Sequence, residues 1–381
     1  MRITIILGPF LPVPTALGGA VEKVHLLLAR AYVAAGHAVT VISRRYKGLP
    51  HEEVVDGIRH IRIASFDRSS SLAINLLYDL RYALRAARCL PPSDITITNS
   101  FSLPVVLPRR KAGKIYVHVA RFPKRQTAFY FRADRLQAIS QAVADAIAAQ
   151  SPVLADRVVS IGYPVSEPYF DIDAVQPRRR TVLFVGRIAR EKGIHLLLSA
   201  FASATKTHGP AGRSEPWKLR IVGPHEVTQG GDGVAYAEEL KALASRLGAA
   251  CEFVGPIFDQ KALIEEYRTA AVFVYPSLAE KGEAFGLAPL EAMAAGCAVV
   301  VSGLRCFDDF IEDGVSGLKF DHRGRSPERS LARQLARLVE DQGLRDRIAA
   351  GGHHAARNFQ VPAIARRMLD DFASLMEPRG I

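Results

Sequence analysis

The sequence predicts an α/β fold built from two doubly wound, Rossmann-like domains. Three observations lead there. Short β-branched runs alternate with helix-period stretches along nearly the whole chain, which implies parallel sheets with right-handed crossovers. The alternation breaks once, where Gly162-Tyr163-Pro164, Pro168, Pro177 and Arg178-Arg179-Arg180 carry prolines and charge without periodicity. A chain of 381 residues is also too long for one ordinary core and suits two. We therefore expect an N-terminal domain over 1–165, a C-terminal domain over 166–360, and a central ligand cleft at the strand C-terminal ends.

In the first half, strands are expected at 3–7, 39–43, 59–63, 95–98, 115–119, 136–140 and 158–161. Helices are expected near 19–35, 72–89 and 141–149, the last capped by Ser140. After the proline-rich break, read as a linker, strands are expected at 181–185, 219–222, 251–254, 271–275, 298–302 and 317–320. The chain from about 329 to 376 reads as nearly all helical. The stretches 209–214 and 229–233 read as mobile loops.

Composition narrows the class. Hydrophobic content of 49% and charged content of 23% are ordinary for a soluble globular protein. No run approaches the length of a membrane span, and the apolar start at 2–7 is too short for a signal peptide. Cys89, Cys251, Cys297 and Cys306 show no metal or redox spacing, so a reducing, cytoplasmic setting is expected. The net charge of +12 lies entirely in the first half. Residues 1–165 hold 22 Lys and Arg against 10 Asp and Glu; residues 166–381 hold 28 of each. Such a half-molecule suits an anionic partner: phospholipid head groups at the inner face of a membrane, a lipid pyrophosphate, or an acidic glycan. The plainer alternative is a solvated basic surface.

Two segments of the basic half stand out. The 72–89 helix places Arg81, Arg85 and Arg88 at helical spacing, with Leu76, Leu77, Leu80 and Leu84 on another face. The plainer reading puts those leucines in the core and the arginines in solvent; the alternative is a helix lying on a membrane interface. Lys124, Arg125, Phe129, Tyr130, Phe131 and Arg132 form a second basic, aromatic segment.

The chemistry centres on 283–302. Glu283 precedes Phe285-Gly286-Leu287-Ala288-Pro289, and Glu291 opens a helix former run stopped by Gly296. Pro289 fits a first helical turn. Gly286 and Leu287 would then present backbone N–H groups at a helix start, where anions and hydroxyl oxygens bind. Two ionised carboxylates near them suit a polyhydroxylated ligand, because a carboxylate only accepts and sugar hydroxyls donate. The bland reading is a glutamate complementing a helix dipole. Arg187 and Lys192 follow the first strand of the second half, where a bidentate cation and a point charge can clamp a diphosphate. Salt bridging of Lys192 with Glu191 is the bland reading there. Gly18-Gly19 stands where backbone amides approach a phosphate, or where a tight turn is needed. It is not the dinucleotide fingerprint, so a nicotinamide cofactor is disfavoured. His118 ends a strand at a sheet edge. No Asp-x-Asp pair stands beside a predicted cleft strand, Asp171 and Asp173 lying in the linker, so no metal is implied. No basic stripe interleaves with aromatics as nucleic-acid binding requires.

These motifs together resemble the GT4-type retaining glycosyltransferases, whose fold is called GT-B. The match is dense in Glu283 to Gly296 and in Gly186-Arg187 to Lys192-Gly193, and weaker in the first half, where Asp is missing after His118 and Ile161-Gly162-Tyr163-Pro164-Val165 stands in place of the usual Asn-Gly-Val-Asp, without its Asn and Asp. The resemblance implies transfer of a sugar from a nucleotide diphosphate sugar to a glycan, lipid-linked or small-molecule hydroxyl acceptor. It implies that Glu283 binds donor-sugar hydroxyls and that Phe285, Gly286 and Leu287 offer backbone donors. Glu291 would bind the ribose, Ile257 would line the base pocket, and Arg187, Lys192, Gly18 and Gly19 would hold the diphosphate. His118 would touch the sugar, and the last helix, about 361–381, would pack back on the N-terminal, acceptor-holding domain. It also implies independence of metals. The alternatives are a catalytically silent nucleotide-sugar binding partner and a GT-B epimerase or phosphorylase.

Overall fold

The computed structural model describes residues 1–14, 19–171, 178–205 and 215–377. The chain forms two compact units, one of Met1–Pro164 with the chain from Val361 onward, the other Val165–Gln360.

In the first unit the strands are β1 (Arg2–Ile6), β2 (Ala38–Arg44), β3 (Glu52–Val55), β4 (Ile58–Ile63), β5 (Ile95–Thr98), β6 (Lys114–Val119), β7 (Arg135–Ala138) and β8 (Val158–Ser160). They form one sheet in the order β3-β4-β2-β1-β5-β6-β7-β8, parallel except where β3 runs against β4. Helices α1 (Ala20–Ala34), α2 (Leu72–Cys89), α3 (Leu103–Val106), α4 (Arg109–Ala112) and α5 (Gln141–Gln150) fill the connections. The central strands are covered on both faces: Ile5, Ile6, Ile95, Ile97 and Ile115 have no measurable exposure, nor do Thr96 and Thr98 between and beside them in β5.

The second unit holds β9 (Arg179–Val185), α6 (Ile194–Thr205), β10 (Lys218–Val222), α7 (Gly233–Leu247), β11 (Cys251–Gly255), α8 (Gln260–Thr269), β12 (Ala270–Tyr275), α9 (Leu287–Ala294), β13 (Ala298–Ser302), β14 (Leu318–Phe320), α10 (Pro327–Glu340) and α11 (Gln342–Ala356). Its six strands are all parallel, in the order β11-β10-β9-β12-β13-β14. The last helix, α12 (Val361–Met376), packs against α1 of the first unit. Phe372 sits between Tyr32 and Tyr116, and Arg135 pairs with Asp371 at 2.8 Å.

Each sheet reverses its winding once, between β1 and β5 in the first and between β9 and β12 in the second. At such a switch point the connections leave in opposite directions and open a crevice beyond the strand C-termini.

Four expectations are corrected. The edge strand β3 was not foreseen, because Glu52-Glu53-Val54-Val55 is charged and solvated rather than apolar. Its signal was Asp56-Gly57, both at positive φ, a two-residue hairpin turn. The segment after Pro164 is not a bare linker: Val165 N–H donates to the Phe359 carbonyl at 2.7 Å, and Tyr169 is buried. The 229–233 loop is tied down, with Asp232 N–H donating to the Ile188 carbonyl at 3.0 Å and Asp232 Oδ2 accepting from Arg190 N at 2.6 Å. On α2 the burial is opposite to the plainer expectation: Asp79, Tyr82, Ala83 and Ala86 face inward, while Leu76, Leu77, Leu80 and Leu84 are exposed. The 209–214 loop, Asp173 and Gly18 lie outside the described residues.

Candidate active site

In the second unit, four predicted or neighbouring charges converge at the switch point. Arg187 and Lys192 come from the turn after β9, and Glu283 from the loop after β12. Lys192 Nζ donates to Glu283 Oε2 at 2.6 Å, and both side chains are nearly buried. Glu191 links this pair to the next, its Oε1 lying 3.9 Å from Lys192 Nζ and accepting from Arg187 Nη2 at 2.9 Å. Arg187 also donates to the Gly230 carbonyl at 2.6 Å. Local geometry explains the approach. Gly193, at φ +66, lets the β9 turn lie against Pro276; a Cβ there would stand 2.1 Å from the Pro276 carbonyl oxygen.

Tyr275, which ends β12, completes the floor. Its ring lies 5.2 Å below Lys192 Nζ, a cation–π contact. Burial, reinforced by the Glu283 carboxylate, holds its phenol well above the ordinary range, so it stays a neutral donor.

The remaining predicted residues are placed differently. Gly286 caps α9 at φ +88, and a Cβ there would meet the Phe307 ring at 2.4 Å. Leu287 begins α9, so its amide belongs to the first turn, where no intrahelical acceptor exists. The Phe285 side chain is core, packed on Phe310 and Phe359. Glu291 keeps other company than Glu283: Tyr267 donates to its Oε2 at 3.3 Å. Ile257 is half-buried in the loop after β11.

His118 and Gly19 belong to the first unit, where they line a cavity of about 510 Å³ with Glu22, Asn99, Arg121 and Tyr163. This cavity lies at the other switch point, past the ends of β1, β5 and β6. His118 is buried; its Nδ1 meets Gln137 Oε1, and Tyr163 Oη lies 3.1 Å from Nε2. Gln137 donates its amide nitrogen to the Ile161 carbonyl, which leaves its oxygen to accept. The network therefore assigns the proton to Nδ1 and leaves Nε2 as the acceptor. Burial lowers the His118 pKa from 6.5 to about 4, a pull that Gln137 only partly offsets. His25, edge-on at 4.7 Å, is lowered well below its ordinary value, chiefly by burial and further by His118. Burial raises Glu22, opposed by Arg121 among others. Asn99 Oδ1 is buried with no partner in the structure.

Family models now meet this geometry. Residues 19–166 match the model described as glycosyl transferase 4-like domain, and residues 166–354 match glycosyl transferases group 1. The chain belongs to the GT4-type glycosyltransferases. A D-inositol 3-phosphate glycosyltransferase from Nocardioides is 27% identical over 93% of this chain and 85% of that protein. Other curated matches span about half of their relatives' length. Among solved structures, sucrose-phosphate synthase from Thermosynechococcus elongatus superposes with a TM-score of 0.77 at 21% identity, covering 98% of this chain and 99% of that one. Anabaena HepE, solved with UDP and glucose, gives 0.73 at 17% identity over 98% of this chain and all of that one. The fold is GT-B. The enzyme names among the relatives weigh against a silent binding partner.

Sequence reasoning missed several parts of the transferase. Tyr163 stands in a segment that departs from the family pattern, yet its hydroxyl meets His118. Tyr275 read only as a strand residue. Glu22 and Asn99 carried one signal each: a carboxylate three positions after Gly19, and a polar residue directly after a buried strand.

Proposed function

We propose that the transferase moves a sugar from a nucleoside diphosphate sugar to a hydroxyl acceptor with retention of configuration, binding the donor on the second unit and the acceptor on the first. The observation that carries this reading is the buried Lys192–Glu283 couple with Arg187 beside it. A buried ion pair is weak evidence for stability, since desolvation of both ions offsets their attraction. It makes chemical sense as a site held neutral until a more highly charged ligand arrives. A diphosphate would draw Lys192 and Arg187 to itself and free Glu283 to accept from sugar hydroxyls. The two cations would then offset charge growing on the leaving diphosphate as the glycosidic bond breaks, without a metal.

The other assignments follow. The amides of Gly286 and Leu287, with that of Phe285, offer donors to sugar and phosphate; Glu291 takes the ribose and Ile257 the base. Gly18 and Gly19 approach the phosphates. Retention without a second nucleophile points to same-face attack assisted by the departing phosphate. His118, neutral at working pH, exchanges its Tyr163 contact for a sugar hydroxyl. HepE's complexes with UDP and UDP-glucose support the donor class, and the inositol phosphate relative supports a hydroxyl acceptor. The four free cysteines fit a reducing, cytoplasmic setting.

A panel of UDP-, GDP- and ADP-sugars tests this. One base class is expected to raise the melting temperature, and its sugar to be released slowly to water. Failure of every donor both to stabilise and to turn over would overturn the reading.

A further inference from the structure

Helix α2 buries its one carboxylate and shows its leucines to solvent. Asp79 is turned inward, with Tyr82, Ala83 and Ala86. Leu76, Leu77, Leu80 and Leu84 are 38–46% exposed, and Leu72 at the helix start is 73% exposed. At 3.6 residues per turn these leucines make one stripe, and Arg81 and Arg88 lie along its edge. Arg85 is held against the protein, donating to the Ala64 carbonyl at 2.8 Å and stacking on Phe66. The outer surface of α2 is thus apolar and cationic, with no exposed acid.

The apolar surface continues beyond α2. Its neighbour α3 exposes Val105, preceded by exposed Phe101. The Phe101 ring lies 6.5 Å from Phe129, which is 57% exposed. Phe131 is exposed too, in the segment that carries Lys124, Arg125 and Arg132. A contiguous apolar face on a soluble unit marks an interaction site. Its occupant here is argued from charge: aliphatic side chains edged by arginines, on the half that carries 22 basic against 10 acidic residues, suit an anionic lipid surface. A protein partner would ordinarily answer with mixed charge. No helix among the described residues is long and apolar enough to cross a membrane, so contact would be along the interface.

The same helix braces the cavity. Asp79 Oδ1 accepts from the Ser100 hydroxyl at 2.9 Å, and Oδ2 accepts from the Ser102 N–H at 2.7 Å. Asn99 and Ser100 line the cavity, and so do Gln126 and Tyr130, which bracket Phe129 in sequence. Exposed Phe101 and Phe129 therefore stand beside the lining.

We propose that the α2 face, extended by Phe101, Phe129 and Phe131, seats on an anionic phospholipid bilayer, and that the acceptor enters the cavity from that bilayer as a lipid-anchored hydroxyl compound. The second half rests on reading the cavity as the acceptor site. The head group would occupy the polar cavity while its hydrocarbon stays with the lipid at the phenylalanine rim.

Vesicle co-sedimentation of the full chain tests it. Phosphatidylcholine vesicles with about a third phosphatidylglycerol should bind the protein at low salt, pure phosphatidylcholine should not, and high salt should release it. The pairs Leu80→Asp with Leu84→Asp, and Arg81→Glu with Arg88→Glu, should each weaken binding roughly tenfold or more. Both should keep the wild-type melting temperature and donor hydrolysis, because these side chains face solvent. No binding to anionic vesicles at low salt, or equal binding by the variants, overturns the docking surface. So does self-association that the leucine pair abolishes without any vesicle binding, which would assign the face to a second copy. Equal turnover on detergent-free soluble acceptors and on the same head group carried by lipid in vesicles overturns the acceptor class. Vesicle binding is read without catalysis, so failure of the transfer reading leaves it separately measurable.

Discussion

In the second unit Lys192 meets Glu283 at 2.6 Å and Arg187 meets Glu191 at 2.9 Å; in the first, His118 hydrogen-bonds the neutral groups Gln137 and Tyr163. The charged group stands at the switch point between β9 and β12, the His118 group at the C-terminal ends of β6 and β7. One site is built of opposed full charges that cancel; in the other, burial lowers two histidines and holds the His118 ring neutral, while Arg121 and Glu22 stand in the cavity wall. The difference matches the ligands proposed for them. A diphosphate carries charge and must be met by cations that can change partners. A hydroxyl group is neutral and can be met by neutral polar groups, such as the His118 ring and Asn99 Oδ1, which is buried without a partner. The C-terminal edges of two similar sheets thus differ in electrostatics through a handful of side chains.

The largest test of the contrast is removal of a cation. Arg187→Ala or Lys192→Ala is expected to lower turnover by roughly two to three orders of magnitude, measured as kcat with saturating donor. Near-full turnover in either variant would mean that the charged site merely holds itself together. His118→Ala, by contrast, removes only a neutral contact to the sugar and should cost turnover less than either cation variant.

The next test is pH. In the native chain His118 stays neutral down to about pH 4, whereas the unfolded ring takes a proton near 6.5. The unfolded state therefore binds more protons across that window, and stability falls as pH drops through it. The full loss attributable to this ring is about 3 kcal/mol. Urea unfolding between pH 7 and 4 should show the slope, and His118→Gln should flatten it in part, His25 contributing the same sign. A wild-type stability constant over that range would contradict a desolvated, neutral site.

The smallest effect belongs to Tyr163→Phe. Losing its hydroxyl bond to His118 should cost about 1 kcal/mol in chemical denaturation. A much larger cost would show Tyr163 to be a structural anchor rather than a partner that a sugar hydroxyl can replace.

Much of this was legible beforehand. The strands 95–98 and 298–302 and the helix 72–89 have the bounds the pattern implies, because buried β-branched runs and capped helical periods are local signals. The dense motif from Glu283 to Gly296 carried the family. Elsewhere local signals ran out. The amphipathic pattern of α2 is equally consistent with leucines inward or outward; only packing of Tyr82, Ala83 and Ala86 against the unit decided the orientation. Tyr163 and His118 are 45 residues apart, and nothing in either neighbourhood announces the bond.

What the sequence determined alone is the inventory: two alternating α/β halves, all the basic surplus in the first, and a cation pair and two glutamates in the second. What only the tertiary structure decided is company. It set Lys192 against Glu283 across 91 residues of chain and gave Glu291 to Tyr267 instead. The reason is physical. Strand order places the β9 and β12 termini side by side, and burial at that junction then makes an unpaired charge too costly to leave.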